Sequence, residues 1–154
     1  MSAALLDLPD EAATIGLAEQ LAAALPASPS GWTILLDGDL GAGKSTFARA
    51  LIRAKGHRGA VPSPTYTLVE PYELADITIY HADLYRIAGE DELRYLGWNE
   101  LEDGLRLVEW PDRAPGLTES ADVQVLLQYH GPGRQAQLTG LSPRGRQLIA
   151  GLQD

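Results

Sequence analysis

Residues 38–45 constrain this chain more than any other stretch, because they read Gly-Asp-Leu-Gly-Ala-Gly-Lys-Ser. A glycine, four free positions and then Gly-Lys-Ser is the pattern of a loop that wraps phosphate groups with backbone N–H groups. The glycines remove side chains at the tightest points, the lysine brings a compact positive charge, and the serine hydroxyl is a suitable Mg²⁺ ligand. The pattern therefore predicts a site for a magnesium-bound triphosphate.

The segments on either side of this loop supply the setting that it needs. Residues 32–36 are apolar and β-prone, which predicts a buried strand. Residues 45–55 carry apolar side chains at helical spacing, and Gly56 is a suitable C-cap. The loop would then end at a helix N-terminus, where free N–H groups and the helix dipole favour anions. The alternative is an ordinary glycine-rich turn between a strand and a helix.

The rest of the chain predicts an α/β fold. A helix begins after Asp10 and ends near Leu25, and residues 74–83 predict a turn followed by an alternating strand. A short acidic helix is expected from Gly89 to Leu96 and a further strand at 104–110. Two alternating segments around a Gly-Pro-Gly turn at 131–133 indicate an antiparallel hairpin, and Ser142-Pro143 begins a last helix. We expect a three-layer P-loop NTPase-like domain whose mixed, mostly parallel sheet is extended by the C-terminal hairpin.

Length and composition bound the function. With 154 residues, one domain spanning residues 1–154 is expected, and the absence of cysteine excludes disulfides and thiolate chemistry. There is no apolar run near the ~20 residues that span a bilayer and no basic start typical of a secretory signal. We therefore expect a cytoplasmic protein that does not cross a membrane.

The charge balance disfavours direct binding of nucleic acid. The formal net charge is -9, and lysine occurs only at positions 44 and 55. A protein that grips RNA or DNA by itself usually presents a basic face to the phosphates. A partner that contacts the nucleic acid remains compatible with this composition.

Two acids follow predicted strands, namely Asp83 and Glu109. Ligands of parallel α/β sheets lie beyond the carboxyl ends of the strands, so both carboxylates are expected near the phosphates. One would hold the metal shell and the other would orient the attacking water, but spacing does not say which does which. The alternative is that each acid belongs to a solvated turn. We take Lys44, Asp83 and Glu109 as candidate catalytic residues, and Ser45, Asp83 and Glu109 as candidate metal ligands.

Other segments add weaker indications. Ser63, Thr65 and Thr67 form a row of hydroxyls that can reach a γ-phosphate, although a polar-edged strand explains them equally well. The chain has no Asn-Lys-X-Asp motif, which favours ATP over GTP. The histidines show no metal-ligand spacing, and we expect His81 to be a satisfied neighbour of a strand.

Four segments are informative when they are taken together. They are residues 38–46, residues 63–69 (Ser-Pro-Thr-Tyr-Thr-Leu-Val), residues 81–86 (His-Ala-Asp-Leu-Tyr-Arg) and residues 108–111 (Val-Glu-Trp-Pro). In order and spacing they resemble the bacterial TsaE family of P-loop ATPases, which serves the synthesis of threonylcarbamoyladenosine in tRNA. The family often has threonine where Ser45 stands, and a larger apolar residue is common at the position of Ala82; neither departure affects the chemistry.

The resemblance implies a cytoplasmic ATPase that uses ATP and Mg²⁺ and acts with two partner proteins, TsaB and TsaD. It implies that tRNA is met only through these partners. Intrinsic hydrolysis is expected to be slow, because no arginine finger accompanies the loop, and partners would stimulate it. A small-molecule kinase and a nucleotide switch that binds without hydrolysis remain as alternatives. A kinase would carry an arginine-rich lid, which no segment here resembles.

The resemblance also assigns roles to individual residues. Ser45 and Glu109 match magnesium-binding positions, Asp83 matches the Walker B position, and residues 63–67 match the first switch. Glu109 and Trp110 match positions linked to hydrolysis and nucleotide response. The residues that the resemblance places around ATP are Gly38, Asp39, Leu40, Gly41, Ala42, Gly43, Lys44, Ser45 and Thr46 in the loop, with Asp10, Glu11 and Arg134 near the base.

Overall fold

A computed structural model describes residues 3–62, 64 and 68–152. Within these residues, seven strands form one sheet. Their bounds are Ala3–Leu8 (β1), Thr33–Gly38 (β2), Val69–Glu73 (β3), Thr78–Asp83 (β4), Leu105–Glu109 (β5), Val123–His130 (β6) and Gly133–Gly140 (β7).

The order of the strands across the sheet is β1-β7-β6-β2-β5-β4-β3. The four central strands, β6, β2, β5 and β4, run parallel to one another. The flanking strands β7, β1 and β3 are antiparallel to their neighbours. The sheet is therefore mixed with a parallel centre, and the C-terminal hairpin of β6 and β7 extends it, as the sequence predicts.

Helices cover both faces of the sheet. The α-helices are Glu11–Ala24 (α1), Lys44–Ala54 (α2), Glu92–Tyr95 (α3) and Pro143–Leu152 (α4), and 3₁₀ helices span Trp98–Asp103, Pro111–Arg113 and Pro115–Glu119. Alternate residues of a strand point to opposite faces. Accordingly, Ile34 and Leu36 of β2 pack in the apolar cluster that contains residues of α1, α2 and α4, whereas Leu35 packs in the cluster under the short helices. This arrangement confirms the three-layer α/β prediction.

Capping explains where two of the helices begin. The Asp10 side chain accepts a hydrogen bond of 2.9 Å from the Ala13 N–H at the start of α1. Ser142 Oγ accepts one of 3.0 Å from the Gly145 N–H at the start of α4, which has Pro143 as its first residue. Both caps satisfy amides that an α-helix leaves without an internal partner.

The structure adds two strands that the sequence pattern did not predict. β1 and β3 are the edges of the sheet, and each pairs with one neighbour only. An edge strand buries less apolar surface, so its alternation is weak; β3 contains Pro71, which a central strand rarely tolerates. The helix expected from Gly89 to Leu96 is reduced to the four residues of α3.

The longest α-helix, α1, has 14 residues. Over residues 3–62, 64 and 68–152, no helix combines the length and the apolar character that crossing a membrane requires.

Candidate functional site

The predicted phosphate loop connects the end of β2 to the start of α2, with Gly43 as the N-cap residue of the helix. No side chain among the described residues caps this N-terminus, so its first N–H groups are available to an anion. The loop needs glycine at Gly41, where φ is +81° and a Cβ atom would lie 2.6 Å from the Tyr129 hydroxyl oxygen. Backbone conformation and close approach therefore both explain this glycine.

Lys44, the first residue of α2, is buried, and its ammonium points back over the loop. Its Nζ donates a hydrogen bond of 2.5 Å to the Gly38 carbonyl oxygen and lies 3.3 Å from the centroid of a Trp110 ring. Burial lowers the pKa of Lys44, and the negative charges of Glu109, Asp37 and neighbouring acids oppose this shift only in part. An additional anion beside Lys44 would therefore be stabilised.

Trp110 is the residue after β5, and its backbone has the left-handed conformation, with φ of 58° and ψ of 53°. This conformation is uncommon for a bulky residue and occurs disproportionately at functional sites. The indole also packs against Tyr85, with 4.9 Å between ring centroids. Trp110 and Tyr85 thus form an aromatic wall beside the Lys44 ammonium.

The two residues that carry the candidate carboxylates are register partners on neighbouring strands. Asp83 ends β4 and Glu109 ends β5, and the parallel register pairs one with the other. Both side chains are buried, and Asp83 Oδ1 accepts a 2.9 Å hydrogen bond from the Tyr85 N–H. Glu109 Oε2 lies 2.6 Å from His81 Nε2. Neither acid belongs to a solvated turn, which was the alternative interpretation from sequence.

One cavity of about 350 Å³ brings these groups together. Among the described residues, no group of three or more His, Asp or Glu side chains is arranged to hold a metal ion by itself. A magnesium ion here would need the serine hydroxyl, phosphate oxygens or water in addition to the two acids. The predicted residues that line the cavity are Leu40, Gly41, Gly43, Lys44, Ser45, Thr46, Asp83 and Glu109, together with Tyr85 and Trp110.

A second cavity of about 240 Å³ lies on the other side of the loop. It shares Gly41, Gly43 and Thr46 with the first cavity, so the two are neighbours. Its wall includes Asp10 and Arg134, which the sequence resemblance placed near the base of ATP. Glu11 and Ala42, which are also among the residues predicted around the nucleotide, line it too.

Two predicted loop residues line neither of these cavities. The Gly38 carbonyl instead accepts the Lys44 hydrogen bond, and the Gly38 amide donates one of 2.8 Å to Asp37 Oδ1. The Asp39 carbonyl accepts a hydrogen bond of 3.0 Å from the Ala42 amide. Gly38 and Asp39 therefore shape the loop from within. The predicted switch residues Ser63, Thr65 and Thr67 lie outside the described residues.

The C-terminal hairpin supports the loop from outside. The Tyr129 hydroxyl donates a 2.7 Å hydrogen bond to the Leu40 carbonyl oxygen, and Arg134 Nη2 donates one of 3.3 Å to the Gly41 carbonyl oxygen. The Arg134 guanidinium also stacks on Tyr129, 4.3 Å from the ring centroid. We call Tyr129 and Arg134 together the hairpin clamp.

Sequence reasoning missed Tyr129 and the contact of His81. For His81 a signal was present, because it stands two residues before Asp83 on an alternating strand and therefore shares the face of that acid. The expectation that His81 is a satisfied neighbour of a strand is wrong in part. Its Nε2 contacts Glu109, whereas its buried Nδ1 has no hydrogen-bond partner in the part of the chain that the structure describes.

Comparisons with known proteins identify the family of this chain. The profile of the family described as "Threonylcarbamoyl adenosine biosynthesis protein TsaE" matches residues 8–136. A TsaE protein of Haemophilus influenzae is 40% identical over 119 residues, which are 76% of this chain and 75% of that protein. A TsaE protein of a Nostoc species is 36% identical over 149 residues, which are 93% of this chain and 90% of that protein.

A solved structure shows the same fold. The crystal structure of Bacillus subtilis YdiB superposes with a TM-score of 0.76 at 25% sequence identity, and the match covers 98% of this chain and 94% of YdiB. The family profile spans the loop, both acids and Arg134. The chain belongs to the TsaE family of threonylcarbamoyl adenosine biosynthesis proteins.

Proposed function

We propose that this chain binds ATP with Mg²⁺ and hydrolyses it to ADP and phosphate in the synthesis of threonylcarbamoyladenosine in tRNA. The observation that carries the proposal is the cavity that Lys44, Ser45, Asp83 and Glu109 line together. It lies at a helix N-terminus that no side chain of the described residues caps. The family to which the chain belongs supports the pathway.

The donor set fits a magnesium-bound triphosphate. The amides at the start of α2 and the Lys44 ammonium suit phosphate oxygens, and the Ser45 hydroxyl with the carboxylates of Asp83 and Glu109 suits a hard cation. Bound Mg²⁺ would supply charge neutralisation for the phosphates. Asp83 and Glu109 are both buried, and their negative charges act on Lys44.

The residues of the chain have separable tasks in this proposal. Lys44 holds the outer phosphates, and the aromatic wall of Tyr85 and Trp110 limits access of bulk water to the cavity. Of Asp83 and Glu109, one would organise the metal shell and the other would orient the attacking water. We assign the water to Glu109 and the metal shell mainly to Asp83, because Glu109 is the last residue of β5 and directly precedes Trp110, whose ring lies against the Lys44 ammonium.

The second cavity is the proposed place of the nucleoside. It adjoins the phosphate loop through Gly41 and Gly43, and Asp10 and Arg134 stand on its wall. Arg134 is held by its stacking on Tyr129, so a planar guanidinium is presented next to the loop. A base and ribose placed there would continue directly from phosphates bound at α2.

We further propose that the chain acts in the cytoplasm on a complex of TsaB and TsaD and meets tRNA only through these partners. Its net charge of -9 supports contact with proteins rather than with the tRNA backbone. Hydrolysis by the chain alone should be slow, since a partner-supplied charge accelerates such reactions by about 10³–10⁵.

ATP turnover and ATP binding, each measured with and without the TsaB–TsaD pair, test the proposal. The pair should stimulate turnover of the wild-type chain. Glu109→Ala should abolish the stimulated turnover and largely spare binding, whereas Lys44→Ala should weaken both. Lys55→Ala is a matched control, because it removes the same charge from the far end of α2, where Lys55 Nζ contacts the Pro26 carbonyl oxygen at 3.3 Å.

The same measurements separate the alternatives. Binding without turnover in the presence of both partners would support the nucleotide switch, and transfer of the γ-phosphate to a metabolite would support the kinase. If Lys44→Ala and Lys55→Ala bind ATP equally well, the cavity at α2 is not the ATP site.

A further inference from the structure

A buried hydrogen bond joins His81 to Glu109, one of the two acids that line the first cavity. Their closest atoms, Nε2 and Oε2, are 2.6 Å apart, and both residues are buried, with exposed fractions of 2% and 3%. A carboxylate only accepts hydrogen bonds, so His81 Nε2 carries the hydrogen and donates it. A charge-assisted bond of this length holds its acceptor firmly.

The strand register explains how the two residues meet. In the parallel pairing of β4 with β5, His81 is opposite Leu107 and Asp83 is opposite Glu109. His81, Asp83 and Glu109 therefore project to the same face of the sheet, the face that α2 covers. His81 stands one side-chain layer deeper than the two acids and does not line the cavity.

The bond selects which oxygen of Glu109 is available. His81 takes one lone pair of Oε2, so Oε1 is the oxygen on which this bond leaves both lone pairs for a water molecule or a metal shell in the cavity. Fixing one oxygen also fixes the plane of the carboxylate. A reacting group held in one orientation acts with less loss of entropy than one that samples several rotamers.

We propose that His81 is a positioning residue that orients Glu109 for ATP hydrolysis. The proposal rests on the proposed function of the cavity. Its second support is the buried Nδ1 of His81, which has no partner among residues 3–62, 64 and 68–152. A buried polar atom without a partner lowers stability, so an imidazole is a poor choice for packing alone at this position. The histidine is better explained by the bond that its Nε2 donates to Glu109.

Three variants test this role, each measured for kcat and KM for ATP with the TsaB–TsaD pair. His81→Phe keeps the shape of the ring without a donor, and His81→Gln keeps a donor N–H near the position of Nε2. Ile79→Val is the matched control, because Ile79 is buried on the same face of β4, two residues earlier, and is paired with Leu105 rather than with Glu109. Thermal unfolding of each variant establishes that it is folded.

We expect His81→Phe to lower kcat about 10–100-fold, the range seen when a partner of a metal-site or catalytic ligand is removed, and to change KM less than about threefold. His81→Gln should retain kcat within about fivefold of wild type, and Ile79→Val should match wild type. Unchanged kcat in His81→Phe, or an equal loss in His81→Gln and His81→Phe, would overturn the proposal. If His81→Phe does not fold, the kcat of folded His81→Gln tests the proposal instead. A tenfold loss of kcat in His81→Gln would contradict the positioning role.

The wild-type chain in the same experiment keeps the two hypotheses apart. If the wild type does not hydrolyse ATP with its partners, the proposed function fails, and the positioning role fails with it. If the wild type hydrolyses ATP and His81→Phe does so equally well, only the positioning role is lost.

Discussion

Asp122 shows at the scale of one residue how charge stabilises this fold away from the candidate site. Its buried carboxylate accepts hydrogen bonds from the Thr33 amide at 2.9 Å, from Ser142 Oγ at 2.7 Å and from Arg144 Nε at 2.8 Å. Burial by itself would raise the pKa of Asp122, but the bonds from Arg144, Ser142 and Thr33 outweigh it and lower the pKa. The carboxylate thereby ties the start of α4 to the start of β2.

We predict that this carboxylate makes stability depend on pH. Because the pKa is lower in the folded chain than in the unfolded chain, the stabilisation is present above about pH 5 and disappears as the pH falls through the depressed pKa. At pH 7, Asp122→Asn should reduce the free energy of unfolding by roughly 1.5–3 kcal/mol, the range for hydrogen bonds to charged groups. Urea denaturation at pH 7 and near pH 3 should show the difference shrinking at the lower pH.

Asp7→Asn provides the control for this measurement. The Asp7 side chain is 76% exposed and lies 3.9 Å from His130. An exposed pair of this kind contributes little to stability. A pH dependence of equal size in Asp7→Asn and Asp122→Asn would show that the buried network is not its source.

At the scale of elements, the hairpin of β6 and β7 is both an extension of the sheet and a support for the phosphate loop. β6 runs parallel to β2 with Leu127 opposite Gly38. Two residues further along β6, Tyr129 therefore stands at the same edge of the sheet as the loop, where its hydroxyl reaches the Leu40 carbonyl oxygen. The hairpin clamp thus restrains the backbone whose amides would bind phosphate.

We predict that Tyr129→Phe weakens ATP binding without unfolding the chain. The variant loses one neutral hydrogen bond, worth about 0.5–1.5 kcal/mol, so the Kd for Mg-ATP should rise about 2–10-fold. Isothermal titration calorimetry measures this change. Tyr95→Phe is the control, because Tyr95 is 90% exposed, and equal effects of the two variants would contradict a role for the hairpin clamp.

The local unit of β2, loop and α2 could be predicted from sequence, because each of its parts depends on neighbours within about twenty residues. The edge of the sheet at which Asp83 and Glu109 lie could also be predicted, since the carboxyl ends of parallel strands share one edge. The pairing of Asp83 with Glu109 could not be predicted, because the strand order β2-β5-β4 is set by packing between distant segments.

Tyr129 and His81 show why the rest of the site was missed. The sequence predicts the hairpin, but no local pattern indicates that β6 lies beside β2. The contact of Tyr129 with the phosphate loop therefore could not be predicted. For His81, alternation gave the correct face, but its partner depends on the register of β4 against β5. Edge strands β1 and β3 were missed for a related reason, since one-sided pairing leaves a weak pattern.

At the scale of the whole molecule, the candidate site joins elements that are far apart in sequence. Its cavities draw residues from the start of α1, the loop before α2, the ends of β4 and β5, and the turn between β6 and β7. A ligand that contacts all of these elements binds the folded chain only. Its binding energy therefore adds to the free energy of unfolding.

We predict a corresponding thermal shift. Mg-ATP at 100 times its Kd should stabilise the chain by about 2.7 kcal/mol, which corresponds to roughly 5–10 °C in Tm for a domain of this size. Differential scanning fluorimetry with Mg²⁺ alone and with Mg-ATP measures it. Lys55→Ala should keep the shift and Lys44→Ala should lose most of it; a shift of the same size in both would place the ligand elsewhere.

The net charge of -9 leads to a last prediction about tRNA. Each phosphate contact requires a lysine or arginine close to the backbone, and the affinity of such contacts falls steeply with salt. This chain has 12 lysines and arginines in total against 21 aspartates and glutamates. Of the two lysines, Lys44 is buried and donates a hydrogen bond to the Gly38 carbonyl oxygen within the candidate site. In a filter-binding or gel-shift assay at 150 mM salt, the chain alone should retain no tRNA, and retention should appear only with the TsaB–TsaD pair. Salt-dependent binding of tRNA by the isolated chain would mean that it contacts the RNA itself, and the indirect role proposed for it would be wrong.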